Sequence, residues 1–351
     1  MKYTTFEYLQ LTVTIIALLL QAYIIYLISV ATPKTMNNYK YFLVFFTAWD
    51  LLFSLFTGLL MIPIPAEPLM GVVVRGLAFY IGPLISSLTP ALCIYAGTMV
   101  LLSQNYCLVY RFTILLPNQK IHERFLSIKC KFWCFLGFQI LAFALGVGLH
   151  QTQSTQIEAR EHLAWYSKAK PKAVAETFQY IEEGETLWVI KWSNYSIGYM
   201  CTVLLLIILS EMTSAGLIFV TLRALKRTGH VHSVATKKLT IQFIRLLAAQ
   251  MFLPLIFVGL PAMAAIVCTI SDIWLDRESI SYGYFLLSCY SGCNMTLTLV
   301  FISPYRTHFF AKILWPVFIR PMVFVFNGFK KPNEPQAVSH VNTIVSASTV
   351  L

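Results

Sequence analysis

Charged residues are scarce in this sequence. Only 12% of its 351 residues are Asp, Glu, Lys or Arg, whereas 58% are hydrophobic. A soluble globular chain carries about 25% charged residues, so the composition excludes a water-soluble protein of this size. The 15% of aromatic residues also excludes intrinsic disorder, because disordered chains are poor in aromatic side chains. The composition therefore predicts an integral membrane protein.

The sequence also lacks the motifs of enzymes and of nucleic-acid-binding proteins. It contains no glycine-rich phosphate loop, no His-Glu metal pair and no serine–histidine–acid pattern, and none of its seven histidines lies within an apolar run. The formal net charge of +11 is scattered between apolar runs, whereas a nucleic-acid site needs its charge clustered on one soluble face. We therefore expect no catalytic residue, metal, cofactor or nucleic-acid partner.

Seven long runs of the sequence are apolar and nearly free of charge. A helix needs about 20 apolar residues to cross the hydrocarbon core of a bilayer. The runs comprise residues 8–31, 41–63, 76–110, 132–149, 195–222, 239–270 and 282–303. The first is longer than the apolar region of a signal peptide, which has about 7–15 residues. The sequence therefore predicts an all-α integral membrane protein built as a seven-transmembrane helix bundle.

An eighth apolar run, residues 309–329, is interrupted by Lys312, Pro316, Arg320 and Pro321. A charge at the bilayer centre costs about 2.5–3.5 kcal/mol. We therefore expect residues 304–331 to form an amphipathic helix that lies in the membrane interface rather than an eighth span.

The basic residues predict the orientation, because Lys and Arg accumulate in short cytoplasmic loops. With the N-terminus outside, 17 of the 26 Lys and Arg residues fall on the cytoplasmic side and 8 outside, and Arg245 lies within the sixth span. Five of those eight are in the long loop between spans 4 and 5, and long loops count for less. We predict an extracellular N-terminus (1–7), a seven-helix domain (8–303), the interfacial helix (304–331) and a disordered cytoplasmic tail (332–351).

The outer loops contain no cysteine, which excludes a disulfide bond between the third span and the second outer loop. Asn194-Tyr195-Ser196 matches the acceptor pattern for N-glycosylation on the outer side, so Asn194 is a predicted glycosylation site. The long outer loop, roughly residues 150–194, has two open interpretations: a lid, or a simply solvated segment.

Short motifs recur at the ends of the spans. The sequence Ser-Pro-Tyr-Arg at 303–306 closes the seventh span, Thr-Pro-Lys-Thr-Met at 32–36 precedes the second, and prolines at 63, 65 and 68 follow it. Thr-Lys-Lys-Leu-Thr-Ile-Gln-Phe at 236–243 opens the sixth span, with Gln250 and Pro254 behind it. Over roughly residues 10–310, the chain resembles the nematode seven-transmembrane chemoreceptors of the Str superfamily, nearest to serpentine receptor classes h and i.

The resemblance implies a bundle like that of a G-protein-coupled receptor, with an olfactory or other chemosensory role. Such receptors typically stand in the plasma membrane of sensory-neuron cilia, respond to small environmental molecules and activate a heterotrimeric G protein. Span 3 ends here in Tyr110-Arg111, where rhodopsin-like receptors have Asp-Arg-Tyr, and span 7 lacks Asn-Pro-x-x-Tyr. The details of a rhodopsin-type switch are therefore not carried over.

Asp50 and Asn294 lie at the same predicted depth, about 14 and 15 Å from one face at 1.5 Å per residue. Equal depth predicts a hydrogen bond between spans 2 and 7, and an intramembrane acid indicates a functional site by default. The alternative is a protonated Asp50 bonded to a backbone carbonyl or water.

Glu211 and Arg245 are the other two charges within the spans. Either they pair and restrain spans 5 and 6, or Arg245 reaches the interface and Glu211 is neutral. Pro254 removes a backbone hydrogen bond in span 6 and predicts a kink that makes this span a moving part.

Two further sets of residues are predicted to make contacts with partners. The G-protein surface comprises the inner ends of the spans: Arg111, Lys226, Arg227, Lys237, Lys238, Pro304, Tyr305 and Arg306. The ligand contacts comprise polar groups in the outer halves of spans 3, 5 and 7: Tyr80, Ser86, Ser87, Thr89, Tyr199, Tyr284 and Ser288. Each of these groups is equally able to hydrogen-bond between helices.

The chain ends in Thr349-Val350-Leu351, the shape that PDZ domains bind by strand addition. A multi-pass transporter and a ligand-gated channel are the alternative functions. A transporter predicts internal repeats with broken spans in matching halves, which the sequence does not show.

Overall fold

The computed structural model describes residues 5–32, 37–66, 69–116, 119–168, 186–191, 193–227, 234–270 and 277–312, with positions 171, 174 and 175. Seven helical segments in these ranges are long and apolar enough to cross a membrane. We number them spans 1 to 7: Thr5–Val30, Asn37–Leu55 with a π-helical turn Phe56–Met61, Pro83–Leu115, Ile128–Gln151, Asn194–Arg227, Val234–Ile270 and Arg277–Phe301.

The ends of the spans form two faces, because successive spans run in opposite directions. The amino-terminal face holds Thr5 and the segments that follow spans 2 and 4. The basic face holds the ends of spans 1, 3, 5 and 7, with a short helix Gln119–Leu126 before span 4 and another, Ser303–Phe309, after span 7. These names describe position in the bundle only.

The seven predicted spans are confirmed, but their ends differ from the predicted ones. Span 3 begins at Pro83 rather than at residue 76, because Gly82 has a φ of 138° that ends the preceding short helix Leu77–Ile81. A side chain at position 82 would be strained in that conformation. Tyr80 therefore lies on the short helix and not on span 3.

Span 4 is longer than its apolar run and extends from Ile128 to Gln151. It includes His150 in its last turn, so the expectation that no histidine lies within a span is wrong. The helix continues one turn past the last apolar residues because its polar end can face water. Span 1 similarly begins at Thr5, within the predicted N-terminal segment.

Span 6 is irregular at its centre. The α-helix Val234–Pro254 is followed by a π-helical turn, Leu255–Gly259, and then by the α-helix Leu260–Ile270. Pro254 has no N–H group and its ring crowds the preceding turn, and π-helical turns often occur at functional sites. The helix is therefore irregular directly after Pro254, the position at which the sequence predicts a kink.

A small antiparallel sheet covers part of the amino-terminal face. Its strands are β1 (Pro63–Pro65), β2 (Gly71–Val74) and β3 (Thr186–Val189), in the order β1-β2-β3. β-Branched residues favour the central strand, and Val73 and Val74 are fully buried. The strand β3 belongs to the long loop between spans 4 and 5, so this end of the loop is packed rather than solvated.

A helix in the same loop, Gln156–Tyr166, packs on the sheet. Thr155 and Glu158 form a reciprocal capping box at its start, which satisfies two backbone N–H groups. Leu163 and Ala159 on this helix pack against Val73 and Leu187 in one buried cluster. Residues 176–185 of this loop lie outside the described residues.

The main hydrophobic core lies between spans 1, 2, 3, 5, 6 and 7. Span 4, by contrast, exposes large apolar side chains along its length, including Phe132, Trp133, Ile140 and Phe143. Such a surface suits lipid, where backbone groups are satisfied within the helix and apolar side chains face hydrocarbon. Span 4 therefore lies at the periphery of the bundle.

A buried ion pair joins span 1 to the sheet. Arg75, which follows β2, donates through Nη1 to Oε1 of Glu7 at 3.0 Å, and the two side chains are only 3% and 4% exposed. Loss of one member of a buried pair costs about 3–5 kcal/mol, whereas apolar replacement of both is often neutral. The pair therefore fixes the start of span 1 against the amino-terminal face.

We expect Arg75→Met to lower the midpoint of thermal unfolding of the purified protein, since it leaves the Glu7 carboxylate buried without its cation. The double variant Glu7→Leu/Arg75→Met should recover most of the loss. Lys191→Met is the matched control, because the Lys191–Glu158 pair is 54% and 36% exposed and exposed pairs contribute only about 0–1 kcal/mol. Equal losses in Arg75→Met and Lys191→Met would contradict this interpretation.

Candidate functional site

A buried polar cluster lies at the centre of the bundle, around Asp50 of span 2. Asp50 is fully buried. Its Oδ1 accepts a hydrogen bond from Oγ of Ser291 at 2.7 Å, and its Oδ2 accepts one from Nδ2 of Asn294 at 2.9 Å. Ser291 and Asn294 are three residues apart on span 7, which places them on one helix face. The hydrogen bond expected from equal depth is present.

Span 6 joins the same cluster through Gln250. Its Nε2 donates to Oδ1 of Asn294 at 2.6 Å and to Oγ1 of Thr298 at 3.1 Å. Gln250 is 2% exposed and Thr298 is 1% exposed, so these contacts exclude water. Asn294 therefore connects the acid of span 2 to the amide of span 6.

Span 1 completes the cluster. Nε2 of Gln21 donates to Oγ of Ser54 at 2.9 Å, and that hydroxyl donates to the backbone oxygen of Asp50 at 3.1 Å. Four of the seven spans thus meet in one hydrogen-bonded group, which we call the polar core: Gln21, Asp50, Ser54, Gln250, Ser291, Asn294 and Thr298. Sequence reasoning found only Asp50 and Asn294, although the other five are polar residues in apolar runs.

The expected pair of Glu211 and Arg245 is not formed. Glu211 is 6% exposed, whereas Arg245 lies on an exposed face of span 6, between the buried residues Ile244 and Leu246. Between these two described residues the structure has no ion pair, and Oε2 of Glu211 has no hydrogen-bond partner in the described part of the chain. The core-facing side of span 6 is apolar at this height, so the guanidinium of Arg245 points away.

Arg111 stands out at the basic face, at the end of span 3. It is only 4% exposed, and its Cζ lies 3.7 Å from the ring centroid of Tyr39 in span 2 and 4.2 Å from that of Phe243 in span 6. A desolvated cation–π contact contributes about 2 kcal/mol. We call this arrangement the aromatic clamp: Tyr39, Arg111 and Phe243.

The clamp satisfies the charge of Arg111 but not its hydrogen-bonding groups. Nε and Nη2 of Arg111 have no hydrogen-bond partner among the described residues. The ring of Tyr39 also stacks on Tyr110 at 5.6 Å between centroids. The guanidinium is therefore held by ring faces while its N–H groups stay available to another acceptor.

The other predicted basic-face residues have different environments. Lys226 is exposed at the end of span 5. Pro304 lies in the first turn of the helix Ser303–Phe309, and Arg306 donates to the backbone oxygen of Val300 at 3.3 Å. Tyr305 is 1% exposed, and its hydroxyl is 2.8 Å from Oγ1 of Thr32, so it ties span 7 to span 1.

Some predicted residues lie outside what the structure describes. Arg227, Lys237 and Lys238 lie within helices, but their side chains are not described. The predicted interfacial helix is described only as far as residue 312, and the tail with its PDZ-type ending lies beyond it.

The seven predicted ligand contacts do not form one site. Tyr80 is 65% exposed on its short helix. Tyr199 donates its hydroxyl to the backbone oxygen of Leu145 at 2.7 Å, and the hydroxyls of Thr89 and Ser288 donate to the backbone one turn earlier. Of these groups, Tyr199 makes the hydrogen bond between helices that was the alternative interpretation, whereas Thr89 and Ser288 bond within their own helix.

Tyr284 is partly buried. The remaining two predicted ligand contacts, Ser86 and Ser87, have environments of a different kind. Ser86 is fully buried and its Oγ has no partner among the described residues. Ser87 donates to Oε1 of Gln153 at 2.8 Å and lines a cavity at the amino-terminal face. Asn194, the predicted glycosylation site, is exposed on the same face, while Ser196 of its motif is 1% exposed.

Seven membrane-spanning helices, a buried polar core and a cationic residue at one end of span 3 are the architecture of a G-protein-coupled receptor. The crystal structure of squid rhodopsin is similar in fold, with a TM-score of 0.57 over 96% of this chain and 90% of that chain, at 10% sequence identity. No curated protein sequence matches the chain.

The family is shown by a sequence match over nearly the whole chain. The model of the family described as Serpentine type 7TM GPCR chemoreceptor Srh matches residues 3–315. The chain therefore belongs to this family of serpentine chemoreceptors, class h, and the resemblance drawn from its motifs is confirmed. It is a multi-pass membrane protein.

The polar core generates a prediction about signalling. Asp50→Asn keeps the size of the side chain but replaces an oxygen acceptor by an amide donor, so Ser291 and Asn294 cannot both donate to it. We expect normal expression at the cell surface and a changed basal or ligand-evoked response, measured as nucleotide exchange on a co-expressed Gα.

Thr296→Val is the control for this variant, because Thr296 is exposed on span 7, two residues after Asn294, and its hydroxyl bonds to the backbone oxygen of Gly292 at 2.8 Å. A response of Asp50→Asn indistinguishable from that of Thr296→Val would count against a role of the core in switching.

Proposed function

We propose that this chemoreceptor binds a small environmental molecule from the amino-terminal face and activates a heterotrimeric G protein at the basic face. The carrying observation is that span 6 contacts both the polar core at the centre of the bundle and Arg111 at the basic face. Gln250 bonds to the polar core, and Phe243, seven residues earlier, contacts Arg111. Seven residues are two helical turns, so the two contacts lie on one side of the helix, about 10 Å apart.

The positions of the basic residues support the orientation in this proposal. With the amino-terminal face outside, the short cytoplasmic segments carry 17 Lys and Arg residues, and the outer ones carry three when the long loop is omitted. This asymmetry is the one that sets topology in the plasma membrane. Membership of a chemoreceptor family supports a location in sensory neurons, and we propose the cilium.

The aromatic clamp supports a specific role for Arg111. Buried between two rings, Arg111 is closed to a partner in this conformation, but its free N–H groups suit backbone carbonyls or carboxylates of a G protein. Movement of span 6 would withdraw Phe243 and open it. The surrounding Lys226, Arg227, Lys237, Lys238 and Arg306, with Pro304, supply the rest of the docking surface, while Tyr305 supports it from inside.

The proposal is tested in cells that express the receptor with a Gα subunit. A panel of small volatile and water-soluble organic molecules is applied, and guanine-nucleotide exchange is measured beside membrane current. We expect at least one molecule to stimulate exchange, with no current when the G protein is absent. Current without a G protein would instead favour a ligand-gated channel, and antibody labelling of an N-terminal epitope on intact cells checks the orientation.

Substitutions of Phe243 and of Arg111 in the clamp are predicted to have opposite effects on nucleotide exchange. Phe243→Ala removes one ring face from Arg111, so we expect basal nucleotide exchange to rise by roughly tenfold, the equivalent of losing an interaction of about 1.4 kcal/mol in the resting state. Arg111→Gln should abolish coupling while surface expression persists.

Phe252→Ala is the matched control, since Phe252 is 54% exposed on the same span and touches neither the clamp nor the polar core. An unchanged basal activity in Phe243→Ala would remove the clamp from the proposed mechanism, even if ligand-evoked activation is intact.

A further inference from the structure

A cavity of about 500 Å³ opens at the amino-terminal face, away from the polar core. It lies where the start of span 3 and the end of span 4 meet the segment before the loop helix and the strand β3. Its polar lining includes Ser87, His150, Gln153, Ser154, Thr155 and Thr186, and among the described residues no Asp, Glu, Lys or Arg lines it. None of the predicted ligand contacts other than Ser87 belongs to it.

The hydrogen bond that Gln153 already makes occupies its acceptor oxygen and leaves its donor group unused. Oε1 of Gln153 accepts from Ser87 at 2.8 Å, so the amide NH₂ of Gln153 is the part left over. Oγ1 of Thr155 accepts from the backbone N–H of Glu158 at 3.2 Å and its O–H bonds to the carboxylate of that residue, whereas the hydroxyl of Thr186, which also lines the cavity, can donate. The lining therefore favours a ligand that supplies hydrogen-bond acceptors.

Two lining side chains carry buried polar atoms that make no hydrogen bond to any described residue. Ser154 is only 3% exposed, and its Oγ has no partner among the described residues. Nδ1 of His150 is likewise buried with no described partner. Because a buried polar group without a hydrogen bond costs free energy, these atoms indicate that a further molecule belongs in the cavity.

The electrostatic field at the cavity favours negative charge. Pro83, in the first turn of the 33-residue span 3, and Gln156, in the first turn of the 11-residue loop helix, both line it. Each helix N-terminus carries roughly half a positive charge. Glu158, in the first turn of the loop helix, stays ionised, because the ammonium of Lys191 at 2.7 Å holds its pKa below the usual range, and the same ammonium balances its negative charge.

We propose that this cavity binds a small organic carboxylate, whose anionic group lies between the two helix N-termini and accepts hydrogen bonds from Gln153, Ser154 and Thr186. A single negative charge suits a described lining without Lys or Arg, and the volume admits a short-chain acid. The binding site stands on its own geometry, and only its consequence for signalling rests on the proposed function. In that role it gives the chemoreceptor an acid as its stimulus.

The test uses the purified full-length receptor in lipid nanodiscs with butyrate as the probe and butyramide as its neutral analogue. Binding is measured by saturation-transfer NMR and by titration of thermal stability. We expect saturable binding of butyrate and at least about tenfold weaker binding of butyramide, since hydrogen bonds to a charged acceptor are about twice as strong as neutral ones. Equal binding of the two molecules, or none of either, overturns the proposal.

Gln153→Glu is the decisive variant. A glutamate still accepts the hydrogen bond from Ser87, but it removes the NH₂ donor and adds a negative charge, so we expect the affinity for butyrate to fall at least about tenfold. Gln151→Glu, on an exposed position two residues away and outside the lining, adds the same charge and should leave binding unchanged. Equal effects of the two variants overturn the site.

Thr186→Val keeps the shape of a second lining residue and removes only its hydroxyl, so it tests the site should Gln153→Glu fold poorly. We expect a loss of affinity of roughly threefold to tenfold, the usual range for one hydrogen bond, and an unchanged affinity overturns the placement. Butyrate that binds in nanodiscs but evokes no nucleotide exchange in cells would leave the site intact and refute the proposed coupling.

Discussion

The hydrogen bonds of Asp50 are the constraint on which the rest of the bundle depends. A carboxyl group far from either membrane surface has no bulk water to bond to, so every partner must come from a neighbouring span. The structure supplies them from span 7 directly and from spans 6 and 1 through Asn294 and Ser54. These contacts fix how the four helices are rotated and how deep each one stands. Apolar packing alone fixes this less well, because lipid is as apolar as the side chains it replaces.

The three charged residues within the apolar runs, Asp50, Glu211 and Arg245, are accommodated in three different ways. Asp50 is satisfied from within, while Arg245 is turned to an exposed face. Glu211 is buried with an oxygen that no described residue satisfies. Arg111, at the end of span 3, is a fourth case, because aromatic faces replace water around its guanidinium. Of these four residues, Asp50 and Arg111 link several spans. Asp50 is connected to span 6 through Asn294, and Arg111 contacts Phe243 of span 6 directly.

The sequence predicts the parts of this structure that depend on local composition and on depth. Seven apolar runs define the spans, and counting residues from the membrane face brings Asp50 and Asn294 to one level. The Gly82-Pro83 break in span 3 is also a readable signal, although the charge-free stretch across it hides it. The sheet and the clamp are not predictable in this way, because β2 pairs with a strand more than 110 residues later and Arg111 meets rings from two other spans. Those contacts depend on how the helices pack, which a single sequence does not specify.

Span 6 combines the two properties that a transmitting element needs. From Val234 to Pro254 it is a regular α-helix that carries both Phe243 and Gln250. In the proposed mechanism, a displacement of Gln250 at the polar core therefore also displaces Phe243 at the clamp. At Leu255–Gly259 it is π-helical, and a turn of this kind has weaker geometry and yields more easily than the α-helices on either side. In the proposed mechanism, span 6 pivots at this turn. Small changes in residues 260–270 then become larger displacements at Phe243, where the only described restraint on the buried charge of Arg111 from span 6 is one ring face.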